Sequence, residues 1–216
     1  MAAPKPGDFL TSGPTTEKRI ALTFDDGPGP QTKEFLDLLD KYKVKATFFI
    51  LGEQVKNRPS VAKDVAARGH EIASHTYSHT NYLRKLKEVG GDTAKAREIL
   101  LADMKKTNET IEKHTGKKAF YCRMPHGIDR PWIKEAAKSA GHVLVNWTYG
   151  SDWTGDSVET LSKSYVAALK PGAILLFHDG NPRREKSLAL VEAVLKASIE
   201  KGYATVTVGE MLGSAR

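Results

Sequence analysis

The stretch Thr23-Phe24-Asp25-Asp26-Gly27-Pro28 follows the apolar run Ile20-Ala21-Leu22 and places two adjacent carboxylates at the end of a predicted buried strand. Neighbouring side chains on a strand point to opposite faces, but a strand that ends in Gly-Pro can turn both carboxylates towards one cleft. Burying two charges is costly unless each has a partner. The stretch therefore predicts a site in which one carboxylate binds a metal ion and the other handles a proton.

A second polar cluster, His75-Thr76-Tyr77-Ser78-His79, follows a short apolar run further along the chain. Its two imidazoles have i, i+4 spacing, which on a helical turn would place both on one face. We therefore predict that Asp26, His75 and His79 hold one divalent metal ion. Zinc suits the imidazoles, although two histidines and one carboxylate also accept cobalt, nickel or iron.

These two segments resemble the T-F-D-D-G-P and H-[ST]-x-x-H signatures of the polysaccharide deacetylases of the NodB-homology group, carbohydrate esterase family four. Three later segments follow in the family's order: Arg123-Met124-Pro125-His126 for R-x-P-[YW], Ser151-Asp152-Trp153 for the end of D-x-x-D-W, and Leu176-Phe177-His178 for L-x-H. The resemblance extends from about Arg19 to Met211. It implies metal-assisted removal of acetyl groups from a polysaccharide, with the metal ion holding the attacking water and polarising the acetyl carbonyl.

Four residues are expected to carry the proton chemistry. Asp25 is the expected general base, and by resemblance Arg123 pairs with it and orients it. His178, at the end of an apolar strand, is the expected general acid for the leaving amine. Asp152 is expected to pair with Arg123.

Four more residues are expected to contact the substrate. By resemblance the segment of Pro125 and His126 supplies a backbone N–H for the developing oxyanion, while Trp153 and Leu176 provide apolar walls, the latter for the acetyl methyl group. The sequence departs from the family pattern twice. His126 replaces the usual aromatic residue, and Tyr149 stands where the family has its first Asp of D-x-x-D-W.

Composition indicates one globular domain. The 216 residues are 40% hydrophobic and 27% charged, and 33 Lys and Arg against 26 Asp and Glu give a net charge of +7. This excess of positive charge favours binding to an anionic polymer such as a cell wall, and a merely solvated basic surface explains it equally well.

No nucleic-acid-binding motif occurs in the sequence, and no run approaches the roughly 18 apolar residues of a membrane span. Cys122 is the only cysteine and is expected to be a small buried hydrophobe.

Strand-like and helical runs alternate, which predicts an α/β protein; with the resemblance, the expected fold is a single-domain distorted (β/α)7 barrel. Residues 1–18 are expected to form a poorly ordered N-terminal arm and residues 19–216 the catalytic domain. Arg84–Gly91 is expected to be a basic surface loop, Trp147 to pack in the core, and His70, His114 and His142 to be structural. Predicted strands are Ile20–Phe24, Ala46–Leu51, Glu71–Ala73, Ala119–Arg123, His142–Trp147, Ala173–His178 and Ala204–Thr207; predicted helices are Gln31–Lys43, Pro59–Arg68, Ala94–Lys113, Pro131–Ala140 and Ser187–Lys201.

The expected function is therefore N-deacetylation of N-acetylglucosamine units, with peptidoglycan as the first expected substrate and chitin oligomers or O-acetylated xylan as alternatives. The rival expectation is a carbohydrate-binding protein on an inactive deacetylase fold. We expect a monomer that acts outside the cytoplasm, periplasmic or secreted, after removal of a signal peptide. Export is inferred from the substrate class, because the Ala/Pro-rich start has no apolar signal core.

Overall fold

A computed structural model describes residues 3–180 and 185–213, which contain nine strands and nine α-helices. The strands are β1 (Phe9–Leu10), β2 (Arg19–Asp25), β3 (Thr47–Ile50), β4 (Glu71–Ser74), β5 (Tyr121–Cys122), β6 (Val143–Val145), β7 (Tyr149–Gly150), β8 (Ala173–His178) and β9 (Ala204–Val206). The helices are α1 (Thr32–Lys41), α2 (Gly52–Asn57), α3 (Pro59–Ala67), α4 (Tyr82–Glu88), α5 (Thr93–Thr115), α6 (Pro131–Ala140), α7 (Val158–Ala167), α8 (Glu185–Glu200) and α9 (Val208–Met211), with a 3₁₀ turn at Pro125–Gly127.

All strand pairs in the described sheet are parallel, in the order β1-β6-β5-β4-β3-β2-β8-β7, and β9 pairs with the first half of β2. The chain forms a distorted (β/α)7 barrel, as the sequence predicts. Each of the seven predicted strands is present. The register places Asp25 beside His178 where β2 and β8 end, so both side chains lie at the carboxyl edge of the sheet.

The two faces of β2 have different roles. Phe24 points to the helical layer, where its ring stacks on Phe48 at 4.8 Å between centroids and lies 5.2 Å from Phe35 and 5.8 Å from Phe177. Strand alternation directs Thr23 and Asp25 to the opposite face, the barrel interior. The helical layer therefore anchors the strand whose last residue enters the site.

Helix ends follow local rules that are visible in the sequence. Helix α5 begins at the side chain of Asp92, which accepts hydrogen bonds from the N–H groups of Ala94 and Lys95, and it ends at Gly116 with φ of 69°. Helix α6 has Pro131 at its start and ends at Gly141, with φ of 80°. These signals set the ends of both helices, and α5 then packs on β4 and α6 on β6.

Two segments for which the sequence predicts no regular structure form a strand and a helix. Phe9–Leu10, assigned by sequence to a poorly ordered arm, pairs with Leu144 and Val145 of β6. The predicted basic loop at Arg84–Gly91 is wrong over most of its length, because α4 occupies Tyr82–Glu88, with Asn81 as its N-cap and Tyr82 buried. No helix within residues 3–180 or 185–213 combines the length and apolarity that crossing a bilayer requires.

His70 and His142 are buried outside the cleft that carries the predicted site, and burial lowers the pKa of each to about 4. Because the folded-state pKa lies below the unfolded value of 6.5, the unfolded chain binds more protons between these two pH values. These two histidines therefore leave the free energy of unfolding unchanged above about pH 6.5. They lower it progressively as the pH falls from 6.5 towards 4.

We expect His142→Leu to reduce this acid sensitivity. The free energy of unfolding, measured with urea from pH 7.5 to 4, should fall less steeply in the variant than in the original chain, by up to about 3 kcal/mol over the window. His114→Leu, at the partly exposed end of α5, is the matched histidine-to-leucine control for the effect of the substitution itself. A constant difference between His142→Leu and the original chain at all pH values would contradict the burial argument.

Candidate active site

A cleft of about 410 Å³ opens at the carboxyl edge of the sheet. Two of its lining residues, Met124 and Trp147, are not predicted from sequence as substrate contacts; Trp147 packs against the core as predicted, but it is half-buried and also lines the cleft. Every predicted metal-binding side chain is among the lining residues, which are Asp25, Asp26, His75, His79, Met124, His126, Trp147, Trp153, Leu176 and His178.

Asp25 is buried at the end of β2 and is held by Arg123. The Nη1 group of Arg123 donates to Oδ1 of Asp25 at 2.7 Å and to Oγ1 of Thr23 at 2.9 Å. The Nε and Nη2 groups donate to the carbonyls of Val145 and Asn146, at 3.0 and 3.1 Å. Since the guanidinium is completely buried and makes four hydrogen bonds, it fixes the carboxylate in one orientation.

The three predicted metal ligands meet in the cleft. Oδ1 of Asp26 lies 3.5 Å from Nε2 of both His75 and His79. One potential ligand atom from each of the three residues lies within 4.8 Å of the other two. Nδ1 of His75 lies 2.7 Å from the carbonyl oxygen of Arg123, so Nδ1 carries the proton and Nε2 presents its lone pair to the cleft.

These residues fit a divalent cation. Oδ1 of Asp26 is buried and has no hydrogen-bond partner, and it faces Nε2 of both His75 and His79 at 3.5 Å. A buried carboxylate oxygen without a partner is unfavourable unless a cation lies beside it. Two imidazoles and one carboxylate leave further coordination positions free, which a catalytic metal site requires.

The electrostatics of the cleft also favour a cation. Burial alone would lower the pKa of His75, but the carboxylates of Asp25 and Asp26 outweigh it and raise that pKa. Burial alone would raise the pKa of Asp26, and the neighbouring imidazoles, first His75, hold it well below its usual range. The carboxylate of Asp26 is therefore ionised, as a metal ligand must be.

The predicted helical turn at His75–His79 is wrong. The segment is irregular, with positive φ at Thr76 (68°) and His79 (56°), and the backbone N–H of Tyr77 donates to Oδ1 of Asp103 on α5 at 2.9 Å. Asp26 also has a positive φ, 72°. Left-handed backbone at non-glycine residues is unfavourable, and here it turns two ligands towards the same point.

Asp152 pairs with His178, and the predicted pair with Arg123 is wrong. Oδ1 of Asp152 lies 2.7 Å from Nδ1 of His178, and Oδ2 accepts from the backbone N–H of His178 at 2.9 Å and from Oγ of Ser187 at 2.7 Å. Burial alone would lower the pKa of His178, but the Asp152 carboxylate outweighs it and raises the pKa. This pairing leaves Nε2 of His178 facing the cleft.

The predicted substrate-contacting residues differ in position. Trp153 is 51% exposed and meets the ring of His178 edge-to-face at 5.4 Å, while Leu176 lines the cleft from the strand that carries His178. His126 lies in the 3₁₀ turn with φ of 62°, and its exposed ring meets His79 edge-to-face at 4.9 Å. Pro125 is buried and is not among the residues that line the cleft, whereas its neighbour Met124 is.

Comparison with known proteins agrees with this geometry. The family described as polysaccharide deacetylase matches residues 12–145. The chain belongs to the polysaccharide deacetylase family. It is 36% identical to a peptidoglycan-N-acetylglucosamine deacetylase of Bacillus cereus, over 92% of this chain and 90% of that protein. It is 32% identical to a chitooligosaccharide deacetylase of Rhizobium leguminosarum bv. trifolii, over 87% and 88% of the two chains.

A solved structure extends the likeness to the fold. A crystallised peptidoglycan N-acetylglucosamine deacetylase superposes with a TM-score of 0.85 at 29% identity, covering 97% of this chain and 94% of its own. The distorted barrel and the arrangement of its strands are therefore those of this deacetylase family.

We expect His79→Ala to lose the metal ion, because two remaining ligands hold a divalent cation too weakly to survive dialysis. Elemental analysis after dialysis should give close to one metal equivalent for the original chain and a small fraction of that for the variant. His114→Ala, far from the cleft on α5, is the matched histidine control. A full metal equivalent in His79→Ala would show that His79 is not a ligand of the metal ion.

Proposed function

We propose that this polysaccharide deacetylase removes acetyl groups from N-acetylglucosamine units of peptidoglycan. In this proposal Asp25 accepts a proton as the general base and His178 donates one as the general acid. One observation carries the assignment. Asp25 and His178 lie side by side in the register of β2 and β8, and each has its own buried partner, Arg123 for one and Asp152 for the other. A carboxylate and an imidazole held in this way can serve as a base and an acid at one bond.

Asp26, His75 and His79 would hold the divalent ion, with zinc the best match to two imidazoles. When bound there, such an ion supplies Lewis-acid polarisation of the acetyl carbonyl and a lower pKa for water. Metal dependence is general in this family.

Two side chains of the protein each carry out one proton transfer. Asp25 is the base that takes a proton from the attacking water, and the Arg123 guanidinium orients its carboxylate. His178 donates a proton from Nε2 to the leaving nitrogen, because an amine departs poorly as an anion. Asp152 fixes Nδ1 of His178 and stabilises the protonated ring.

The remaining walls suit an acetylated sugar. Leu176 is apolar and close to His178, so it suits the acetyl methyl group, and the exposed face of Trp153 suits a sugar ring at the mouth of the cleft. The backbone N–H at His126 remains our candidate for oxyanion support, a role that does not depend on the side chain.

Peptidoglycan is proposed over chitin for two reasons. The more similar of the two curated relatives described above is named for peptidoglycan and the other for chitooligosaccharides. The net charge of +7 favours a polymer that carries carboxylates over a neutral one. Peptidoglycan lies outside the cytoplasm, so we propose an extracytoplasmic location, and we propose that the monomer is the working unit.

The rival function is carbohydrate binding without turnover. A binding protein gains nothing from a buried carboxylate fixed by Arg123 or from an imidazole fixed by Asp152, and either pair could be lost without harm to a binding groove. The presence of both pairs together with the metal triad therefore favours catalysis.

Asp25→Asn tests the assignment of the base. Acetate release from purified peptidoglycan and from chitin oligomers should fall by roughly two to four orders of magnitude, because the amide cannot take the proton, while metal content stays unchanged. Asp37→Asn, on the exposed side of α1, is the matched control. Near-normal turnover in Asp25→Asn would exclude it as the base, and no acetate release by the original metal-loaded chain from either polymer would support the binding-only rival.

His178→Ala tests the assignment of the acid. The rate on an N-acetylated sugar oligomer should fall by about a hundred- to ten-thousandfold, because the leaving amine needs a proton. An activated aryl acetate should escape most of this loss, since its phenolate leaves without protonation. Equal losses on the two substrates, with metal content verified in both proteins, would reassign His178 to binding or structure.

A further inference from the structure

The phenol of Tyr165 lies directly behind the Asp152–His178 pair. Tyr165 belongs to α7 and is completely buried. Its hydroxyl accepts hydrogen bonds from the backbone N–H groups of Ser151, at 2.9 Å, and Asp152, at 3.2 Å. It donates to the carbonyl oxygen of Leu176, at 2.6 Å.

This hydroxyl uses its full hydrogen-bonding capacity. A phenol has one proton to donate and two lone pairs to accept with, and Tyr165 makes one bond of the first kind and two of the second. Burial raises the pKa of Tyr165, so the hydroxyl keeps the proton that it donates to Leu176.

The three bonds join two separate segments of the chain. Ser151 and Asp152 lie in the turn after β7, and Leu176 lies on β8 two residues before His178. The hydroxyl therefore connects the backbone that carries the carboxylate to the strand that carries the imidazole. Any displacement of the turn would change the 2.7 Å contact between Oδ1 of Asp152 and Nδ1 of His178.

The ring of Tyr165 is fixed by contacts that do not involve the hydroxyl. It stacks on Phe177 at 4.7 Å between centroids and meets Tyr149 edge-to-face at 4.9 Å. Tyr149 is the residue that stands where the family pattern has an acid. Because this packing is purely aromatic, a phenylalanine at position 165 keeps the ring in place and removes only the three hydrogen bonds.

We infer that Tyr165 is a positioning residue of the deacetylation reaction: its hydroxyl sets the distance and orientation between Asp152 and His178, and so the aim of the acid at the leaving nitrogen. The inference rests on the proposed function for its catalytic consequence. Its structural content, the dependence of the Asp152–His178 hydrogen bond on the Tyr165 hydroxyl, does not depend on the substrate.

Tyr165→Phe is the test, with Tyr203→Phe as the matched control. The Tyr203 hydroxyl also donates to a backbone carbonyl, that of Leu169 at 3.2 Å, but it lies next to β9 at the opposite end of the sheet. Each variant thus removes a hydroxyl that bonds to backbone, and only one of them touches the Asp152 turn. Metal content and urea midpoint are measured for both.

The kinetic readout is the ratio of rates on an amide and on an ester. Tyr165→Phe should lower kcat on an N-acetylated oligomer by about ten- to a hundredfold, the loss typical of a misplaced catalytic group, and kcat on an aryl acetate by less than about threefold. Tyr203→Phe should leave both rates unchanged. Equal losses on amide and ester, or an unchanged amide rate in Tyr165→Phe, would overturn the inference.

A spectroscopic readout is independent of turnover. A proton held between Nδ1 of His178 and the Asp152 carboxylate should give a low-field proton NMR signal, assigned by its absence in His178→Ala. It should shift or disappear in Tyr165→Phe and persist in Tyr203→Phe. If the original chain released no acetate, the proposed function would fail, and an unchanged low-field signal in Tyr165→Phe would separately overturn the inference.

Discussion

The buried ion pair between Arg123 and Asp25 is the interaction on which the site depends. A completely buried guanidinium is tolerable only when its charge and its donors are satisfied, and here one carboxylate, one hydroxyl and two carbonyls satisfy them. The same residue also acts through its backbone, because its carbonyl accepts from Nδ1 of His75. One residue on the segment after β5 therefore orients both the proposed base and a proposed metal ligand, and a shift of this segment would disturb both.

The parallel sheet explains how distant segments converge. The carboxyl ends of β2, β4 and β8 meet at one edge, so residues 25, 75 and 178 lie close together although the chain separates them widely. The loops after β2 and β8 are also closely packed. A Cβ atom on Gly180 would clash with the carbonyl oxygen of Asp26, and one on Gly27 would clash with the carboxylate of Asp179. Only glycine permits this approach, which brings the proposed metal ligand next to the proposed acid.

Features encoded by local pattern were predictable from sequence, and features set by long-range contacts were not. Apolar runs with turn signals identified seven of the nine described strands, and caps identified α5 and α6. The strand β5 is only two residues long but lies within the apolar stretch Ala119–Arg123, whereas the equally short β1 and β7 lie in no such stretch and form by pairing with the edges of β6 and β8. The partner of Asp152 was assigned wrongly, since motif order says which residues share a cleft but not which carboxylate faces which base. Tyr165 carries no motif, and only the tertiary structure brings its hydroxyl behind Asp152.

The two departures from the family pattern have different consequences. Tyr149 replaces a carboxylate, yet Asp152 alone contacts both the backbone N–H and Nδ1 of His178, so this pairing needs no second acid. The aromatic ring at position 149 instead packs against Tyr165, which stiffens the wall behind the same pair. His126 acts on the other side of the cleft, where its ring lies against His79. The first departure thus concerns support for the proposed acid, while the second changes the surface that a sugar meets beside the proposed metal ligands.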